Sequence, residues 1–266
     1  MKYTFGLIGT GNMGGAIARA VSLTLKDGIL SDKSVDKAQE LAQELGFSAG
    51  TNQEAALESR YLFLGVKPHL MGGMLESIRP DLASRSEAPV LVSMAAGLSI
   101  SQIQEMAGID CPIIRIMPNT PVAVSQGVGL YEVSASVTPE ILDGFLHVMG
   151  KAGQLYRIDE SLMDVGAAVS GCGPAFVYMV IDAMADGGVA CGLPRPDAVK
   201  YAAQTLLGAA QMVLESGKHP AQLKNEVCSP GGSTIQGVRT LEQRAVHSAF
   251  MDAVISACDK NAALGK

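Results

Sequence analysis

The chain has 266 residues, 48% of them hydrophobic and 17% charged, with 20 Lys and Arg against 26 Asp and Glu for a net charge of −6. That length holds one large domain or two modest ones, with enough chain to bury a core, and the composition excludes intrinsic disorder. The acidic balance, without a cluster of Lys and Arg, excludes a bulk electrostatic nucleic-acid binder.

Targeting and metal signals are weak. No 18-residue stretch is free of charge, so no membrane-spanning helix is expected. Ala18-Arg19-Ala20 imitates a signal-cleavage site, but the apolar run Phe5 to Ile8 is too short for a secretory leader. The cysteines (111, 172, 191, 228 and 258) are odd in number and form no CxxC pair. The histidines (69, 147, 219 and 247) show no HExxH spacing. Neither a disulfide framework nor a metal site is expected, and the reducing cytoplasm is the expected compartment.

Taken in order, the first half alternates short apolar runs with polar helical stretches. Tyr3 to Ile8 reads as a strand, Gly11 to Leu25 as a helix, Ile29 to Ser31 as a strand, and Val35 to Leu45 as a helix ended by Gly46. Further strands are expected at Tyr61 to Val66, Pro89 to Met94, Ile113 to Met117 and Gln154 to Ile158. Runs with few polar interruptions suit strands covered on both faces, and strand–helix alternation implies βαβ units in a doubly wound sheet. After Asp159 the pattern turns helical, with helices expected at Ser161 to Val169, Ala175 to Ala190, Pro196 to Ser216 and Arg244 to Ala263. The middle ones are rich in Ala and Gly, including Ala202, Ala203, Gly208, Ala209 and Ala210. Helices so uniformly apolar need burial on several sides. The expected domains are therefore residues 1–159, a sheet domain, and 160–266, an all-helical domain that interlocks with a second copy of itself.

Gly9-Thr10-Gly11-Asn12-Met13-Gly14 is a GxGxxG that follows a strand and opens a helix, the context a dinucleotide site requires. Gly9 permits the tight turn, Gly11 lets backbone N–H groups approach a pyrophosphate, and Gly14 lets the helix pack on the strand. The helix N-terminus then faces the anion with partial positive charge. The residues after the second strand should report which dinucleotide is used, and they conflict. Asp32, 18 residues beyond Gly14, is placed to accept from a ribose 2′-hydroxyl, as for NADH. Ser31, Lys33 and Ser34 suit the 2′-phosphate of NADPH. Val66-Lys67-Pro68 and Ala95-Ala96-Gly97 follow later strands at their C-terminal ends, where ligands bind in open α/β sheets, and Ala95 and Ala96 leave room for a nicotinamide ring.

A second constellation interrupts the helical half. In Cys228-Ser229-Pro230-Gly231-Gly232-Ser233-Thr234 the Pro-Gly-Gly breaks one helix, and Ser233 or Thr234 is expected to cap the next. Free N–H groups at such a start suit a small carboxylate. A plain helix–turn–helix join explains the same pattern. Ser170-Gly171-Cys172-Gly173-Pro174 is a comparable break without the GxSxG spacing of a hydrolase.

Together these residues resemble the pyrroline-5-carboxylate reductases. The resemblance is carried by the GxGxxG start, Val66-Lys67-Pro68, Ser93 to Gly97, Arg115 to Pro121, Ser170 to Ala175, Ala185 to Val189 and, most specifically, Pro220 to Leu241. It implies an α/β fold with an N-terminal Rossmann-type doubly wound sheet for NADPH or NADH, followed by an all-helical dimerisation domain. The implied assembly is an intertwined homodimer, often built further into a decamer. It also implies reduction of the C=N of 1-pyrroline-5-carboxylate to L-proline. The substrate carboxylate would bind the loop Ser229, Gly231, Gly232, Ser233 and Thr234, with the Thr234 hydroxyl at the ring nitrogen. Asn52 matches a cofactor-contacting position near the adenosine phosphate. Four positions depart from the family pattern. Cys172 stands for Ser, Phe176 for Tyr, Ser233 for Thr or Ala, and Asp32 for Ser or Asn. A β-hydroxyacid-type dehydrogenase shares the glycine-rich start, but such enzymes resemble one another in using a Lys early in the helical domain, and here no Lys lies between Lys151 and Lys200. A third reading is a redox sensor that binds dinucleotide without turnover.

Overall fold

The structure is a computed structural model, and it describes residues 1–264. Its strands are β1 (Tyr3–Ile8), β2 (Gly28–Ser31), β3 (Ser48–Ala49), β4 (Ser59–Leu64), β5 (Val90–Ser93), β6 (Ile113–Pro118), β7 (Gly127–Val133) and β8 (Gly153–Arg157). They form one sheet in the order β3-β2-β1-β4-β5-β6-β7-β8, parallel throughout except between β6 and β7. The order reverses between β1 and β4. That is the switch point at which open α/β sheets bind ligands, beyond the strand C-termini.

The sheet helices are α1 (Asn12–Ser22), α2 (Val35–Leu45), α3 (Asn52–Glu58), α4 (Pro68–Ala83), α5 (Ile100–Ala107) and α6 (Pro139–Val148). Alternate strand residues feed two apolar layers. Phe5, Leu7, Tyr61, Phe63, Val90, Val92, Ile114 and Ile116 pack with Ile17, Val21 and Phe145 on one face. Ile8, Leu62, Leu64, Leu91 and Ile113 pack with Met71, Leu75, Ile78 and Ile103 on the other. Burial on both faces is why these strands read as nearly continuous apolar runs. Aromatic contacts run through the first layer, with Phe5 5.0 Å from Phe63 and Phe63 6.3 Å from Phe145.

The later helices are α7 (Met163–Ser170), α8 (Gly173–Ala190), α9 (Arg195–Ser216), α10 (Pro220–Glu226), α11 (Ser233–Gln243) and α12 (Val246–Leu264). The helix expected from Arg244 starts later, because Arg244 ends α11 and Ala245 turns to a φ of 54° before α12 begins. The helix expected from Ser161 likewise starts at Met163, after a short 3₁₀ turn over Glu160–Leu162. By packing, the chain forms two compact units. One is Met1–Cys172 with the described residues from Ala257 onward; the other is Gly173–Ser256.

The helical stretch Glu160–Ala190 is 31 residues long and contains an 18-residue window of mean hydropathy 1.4, 11% of it buried within this chain, so by length and composition alone it passes for a membrane span, as core helices of other proteins also do. Its charge-free run, Val165 to Ile181, is one residue short of the length tested in the sequence, and the few acids flanking it hardly lower the mean.

Candidate functional site: a glycine-lined cleft and an uncapped helix start

The glycine loop divides its labour by space. Gly9 takes a φ of +102° and lies so close to β4 that a Cβ there would sit 2.7 Å from the Gly65 carbonyl oxygen. A Cβ on Gly14 would lie 2.0 Å from the Gly9 carbonyl oxygen, so only glycine lets α1 start against β1. Gly11, by contrast, is the N-cap of α1 in ordinary extended conformation, and a Cβ there would meet nothing within 4 Å. No side chain caps α1. Its first-turn N–H groups, at Asn12 and Met13, therefore have no side-chain acceptor, and the space beside Gly11 is open.

Gly9, Gly11, Asp32, Lys33, Asn52, Val66 and Lys67 line one cleft of about 740 Å³ at the switch point. Thr10 and Asn12 face an adjoining hollow of about 460 Å³ between α1 and α2. Ser31 is buried behind the cleft, and its hydroxyl donates to Asn52 Oδ1 at 2.5 Å. Asn52 is the first residue of α3, held by a reciprocal cap between Thr51 and Glu54. Pro68 is the first residue of α4, and Lys67 is its exposed N-cap. His69, Leu70, Gly73 and Met74 of α4 also line the cleft. Sequence reading missed them, although the proline after Lys67 is the signal of a helix beginning there.

Asp32 does not stand free at the mouth of this cleft. Its Oδ2 accepts from the Thr10 backbone N–H at 2.6 Å and the Thr10 hydroxyl at 3.0 Å, and its Oδ1 accepts from the Ser34 N–H at 2.9 Å. Partial burial alone would raise the carboxyl pKa. The amides of Ser34 and Thr10, the Thr10 hydroxyl and Lys37 outweigh it and hold the group below the usual carboxylate range.

In the other unit, the break between α10 and α11 is a tight turn. The Gly232 N–H donates to the Ser229 carbonyl at 3.0 Å, and Gly231 takes a φ of +67° that favours glycine. The expectation that Ser233 or Thr234 caps α11 is corrected. The cap position is Gly232, extended and without a side-chain bond, and Ser233 and Thr234 are the first two helical residues. The turn spends its conformational freedom before Ser233, which moves the helix start back by one residue. Ser229, Gly231, Ser233 and Thr234 are exposed, so this uncapped start is open to an anion.

Comparison with known proteins decides what carries both features. Residues 160–264 match the family model described as pyrroline-5-carboxylate reductase dimerisation, and residues 4–97 match that of the coenzyme F420-dependent NADP oxidoreductases. Pyrroline-5-carboxylate reductase of Escherichia coli is 39% identical over the full length of both chains. That of Glycine max is 38% identical over 98% of this chain and 95% of its own. The crystal structure of the Plasmodium falciparum enzyme with NADP bound superposes with a TM-score of 0.89 at 31% identity, covering all of both chains. The chain belongs to the pyrroline-5-carboxylate reductase family.

Within this reductase family fold, Ala95 is buried behind β5, while Ala96 and Gly97 line a smaller cavity of about 230 Å³ with Met117, Pro118, Asp164, Cys172 and Asn261. Arg115 on β6 braces its floor. Its nearly buried guanidinium reaches Glu160 at 3.1 Å and Asp164 at 3.4 Å, and Glu160 also accepts from the Ile100 N–H at the start of α5. Asn261 donates to the Asp164 carbonyl at 3.1 Å, and Asn119 donates to that of Ser170 at 2.9 Å. Arg115, Asn119 and Ser170 lie in segments that carry the family likeness, whereas nothing in the sequence singled out Glu160, Asp164 or Asn261. Their pairing spans up to 97 residues of chain, so no local pattern announces it.

Proposed function

We propose that this protein reduces the C=N bond of 1-pyrroline-5-carboxylate to give L-proline, with NADPH or NADH as reductant. The observation that carries the reading is the uncapped α11 start in the Pro-Gly-Gly-Ser-Thr turn, on a chain that also builds an open glycine cradle at its sheet switch point. The cradle fits a dinucleotide. Gly9, Gly11 and the α1 start, with Thr10, Asn12 and Met13, would hold its pyrophosphate, and Gly14 sets the helix against the sheet. Ser31, Asp32, Lys33, Asn52, Val66, Lys67 and Pro68 would surround its adenosine end, with the two lysines and the Asn52 amide favouring a 2′-phosphate. Ala95 and Ala96 would leave room for the ring. When bound, the dinucleotide supplies the hydride.

What the chain itself supplies is placement. The N–H groups around Gly231, Gly232, Ser233 and Thr234, with the Ser229 hydroxyl, would hold the substrate carboxylate. The Thr234 hydroxyl would sit at the ring nitrogen. A protonated ring imine is already electrophilic, so a hydride at carbon and a proton at nitrogen complete the reduction without a strong acid on the protein. The helical domain, residues 160–266, would pair two copies as an intertwined dimer that assembles further into a decamer, beside a dinucleotide domain of residues 1–159. Five unpaired cysteines suit a reducing cytoplasm.

The test mixes purified protein, 1-pyrroline-5-carboxylate and each reduced cofactor separately, and follows loss of cofactor absorbance together with proline formation. Thr234→Ala should lower kcat by about 10- to 1000-fold, as loss of one positioned polar group does. Wild-type turnover in that variant removes Thr234 from the reaction, and no proline from the parent protein removes the reading altogether.

A further inference from the structure

We infer that Asp32 is a positioning residue, bracing the glycine loop through Thr10, and that it does not read the ribose of the dinucleotide. This rests on the dinucleotide reading of the cleft given above. By position, an acidic residue after the second strand of such a sheet is the expected acceptor for ribose hydroxyls. Here the geometry assigns it other work. Three protein donors already occupy the carboxylate, two from Thr10 and one from Ser34, spread over both oxygens at 2.6 to 3.0 Å.

The consequences run in two directions. Toward the loop, Asp32 ties residue 10 to residue 34 across the gap between the ends of β1 and β2. The Gly9 N–H bonds to the Ser31 carbonyl at 2.7 Å alongside it. The loop that must present its amides to a phosphate is thereby fixed before any ligand arrives, which removes an ordering cost from binding. The Thr10 N–H and hydroxyl are committed to Asp32, so Thr10 would hold the pyrophosphate by shaping the loop while the α1 amides of Asn12 and Met13 donate to it. Toward the adenosine end, the groups left to a ligand are donors. Asn52 accepts from Ser31 through Oδ1, so its NH₂ is what remains to offer, and Lys33 and Lys67 line the same cleft. Cationic donors favour a 2′-phosphate over a 2′-hydroxyl, so discrimination falls to the lysines and not to the carboxylate.

The test is titration of NADPH and NADH, by fluorescence of the reduced cofactor, into the full-length protein and its variants. Thr10→Val keeps the volume and the charge at Asp32 and deletes one bond of the brace. It should weaken both cofactors together by about 3- to 10-fold, the net worth of one ordinary hydrogen bond, since the Thr10 N–H still holds Asp32. The ratio of the two affinities should move by less than about threefold, and Thr10→Ser, which keeps the bond, should restore both. The double variant Thr10→Val with Asp32→Asn should be no weaker than Asp32→Asn alone, because the two changes remove one shared interaction. The inference is overturned if Thr10→Val leaves both affinities unchanged or tightens NADH, or if Asp32→Asn weakens NADH tenfold or more relative to NADPH while Thr10→Val is silent. Because titration needs no imine, even cofactor losses in a protein that makes no proline would sink the assigned reaction alone. Proline formation with uneven losses would sink this inference alone.

Discussion

The two units of the chain use apolar residues in opposite ways. In the sheet unit, Phe5, Leu7, Phe63, Leu75, Ile113 and Phe145 are completely buried against neighbours in the same chain. In the unit formed by Gly173–Ser256, the buried hydrophobic residues are three alanines, Ala185, Ala198 and Ala202. Met179 and Leu214 there are each 72% exposed, and Tyr178, Leu207, Met251 and Ile255 are also exposed. A Cβ added at Gly187 or Gly208 would meet nothing within 4 Å. Patches of this kind on a helical unit mark an interaction surface, and residues 160–264 match the reductase family's dimerisation model. The first unit satisfies its core alone; the second carries a core cut in half.

The largest effect that would sharpen this contrast lies in the glycine loop, where fold and ligand binding separate residue by residue. Gly14→Ala places a methyl group 2.0 Å from the Gly9 carbonyl oxygen, on backbone that cannot move without shifting β1 or α1. It should destabilise the sheet unit by about 3 kcal/mol or more, read as a fall in the denaturant midpoint. Gly11→Val fills space that is empty, on backbone any residue adopts. Its melting temperature should stay within a few degrees of the parent, about 0.5 kcal/mol as for a surface change, while NADPH and NADH titrations go flat. A silent Gly14→Ala would mean that the loop relaxes where the packing says it cannot.

Leu207→Glu tests the other unit. Placed on the exposed face of α9, a carboxylate costs nothing in a lone chain and much in an apolar interface. Sedimentation should show the dimer dissociating at protein concentrations about 30-fold higher or more, the cost of one interface hot spot of about 2 kcal/mol. The melting temperature should fall below the parent's at the same protein concentration, as the stabilisation by the partner copy is lost. A variant that sediments like the parent would place the pairing face elsewhere on the helices.

The same asymmetry governs how much could be read from sequence. Strands covered on both faces are local apolar runs, so β1, β2, β4, β5 and β6 were legible, as were the half-exposed edge strand β8 and the GxGxxG cradle. β7 was not. Its sequence, Gly-Val-Gly-Leu-Tyr-Glu-Val, opens with two glycines that look like a turn. They are there because a Cβ on Gly127 would strike Val122, and one on Gly129 would strike Leu155. β3 is two residues long and carries no pattern at all. In the site, the positions of Asp32 and Asn52 were legible, but what their side chains do was not. Asp32 looks like a ribose acceptor by spacing, and only the loop's path brings Thr10 and Ser34 to it. In the helical half, periodicity found α7, α8, α9 and α12 but not the seven-residue α10, and helix ends were misplaced at Ser233 and Ala245, where a single φ angle decides the boundary.

The smallest effect probes how tightly the sheet unit closes. Cys111 lies just before β6, 1% exposed among Leu91, Ile103 and Ile113. Burial, helped by Asp110, pushes its thiol up from an ordinary value of 9.0 to about 12. The folded state therefore favours the neutral thiol. That contribution to stability is complete below about pH 9 and is lost progressively as the pH rises toward 12. At pH 8 only about one thiol in ten thousand is ionised, and the thiolate is the form that reacts. Iodoacetamide at pH 8 should leave Cys111 unmodified in the native protein, by peptide mass spectrometry, and modify it once guanidinium unfolds the chain. Cys191, exposed at the end of α8, should be open to the reagent whenever the helical unit is unpaired. Combining Leu207→Glu with the labelling separates the two units cleanly. Loss of pairing should raise labelling in the helical unit and leave Cys111 untouched, because its protection comes from packing within one chain. If Cys111 became reactive together with Cys191, the sheet unit would depend on the partner copy as well.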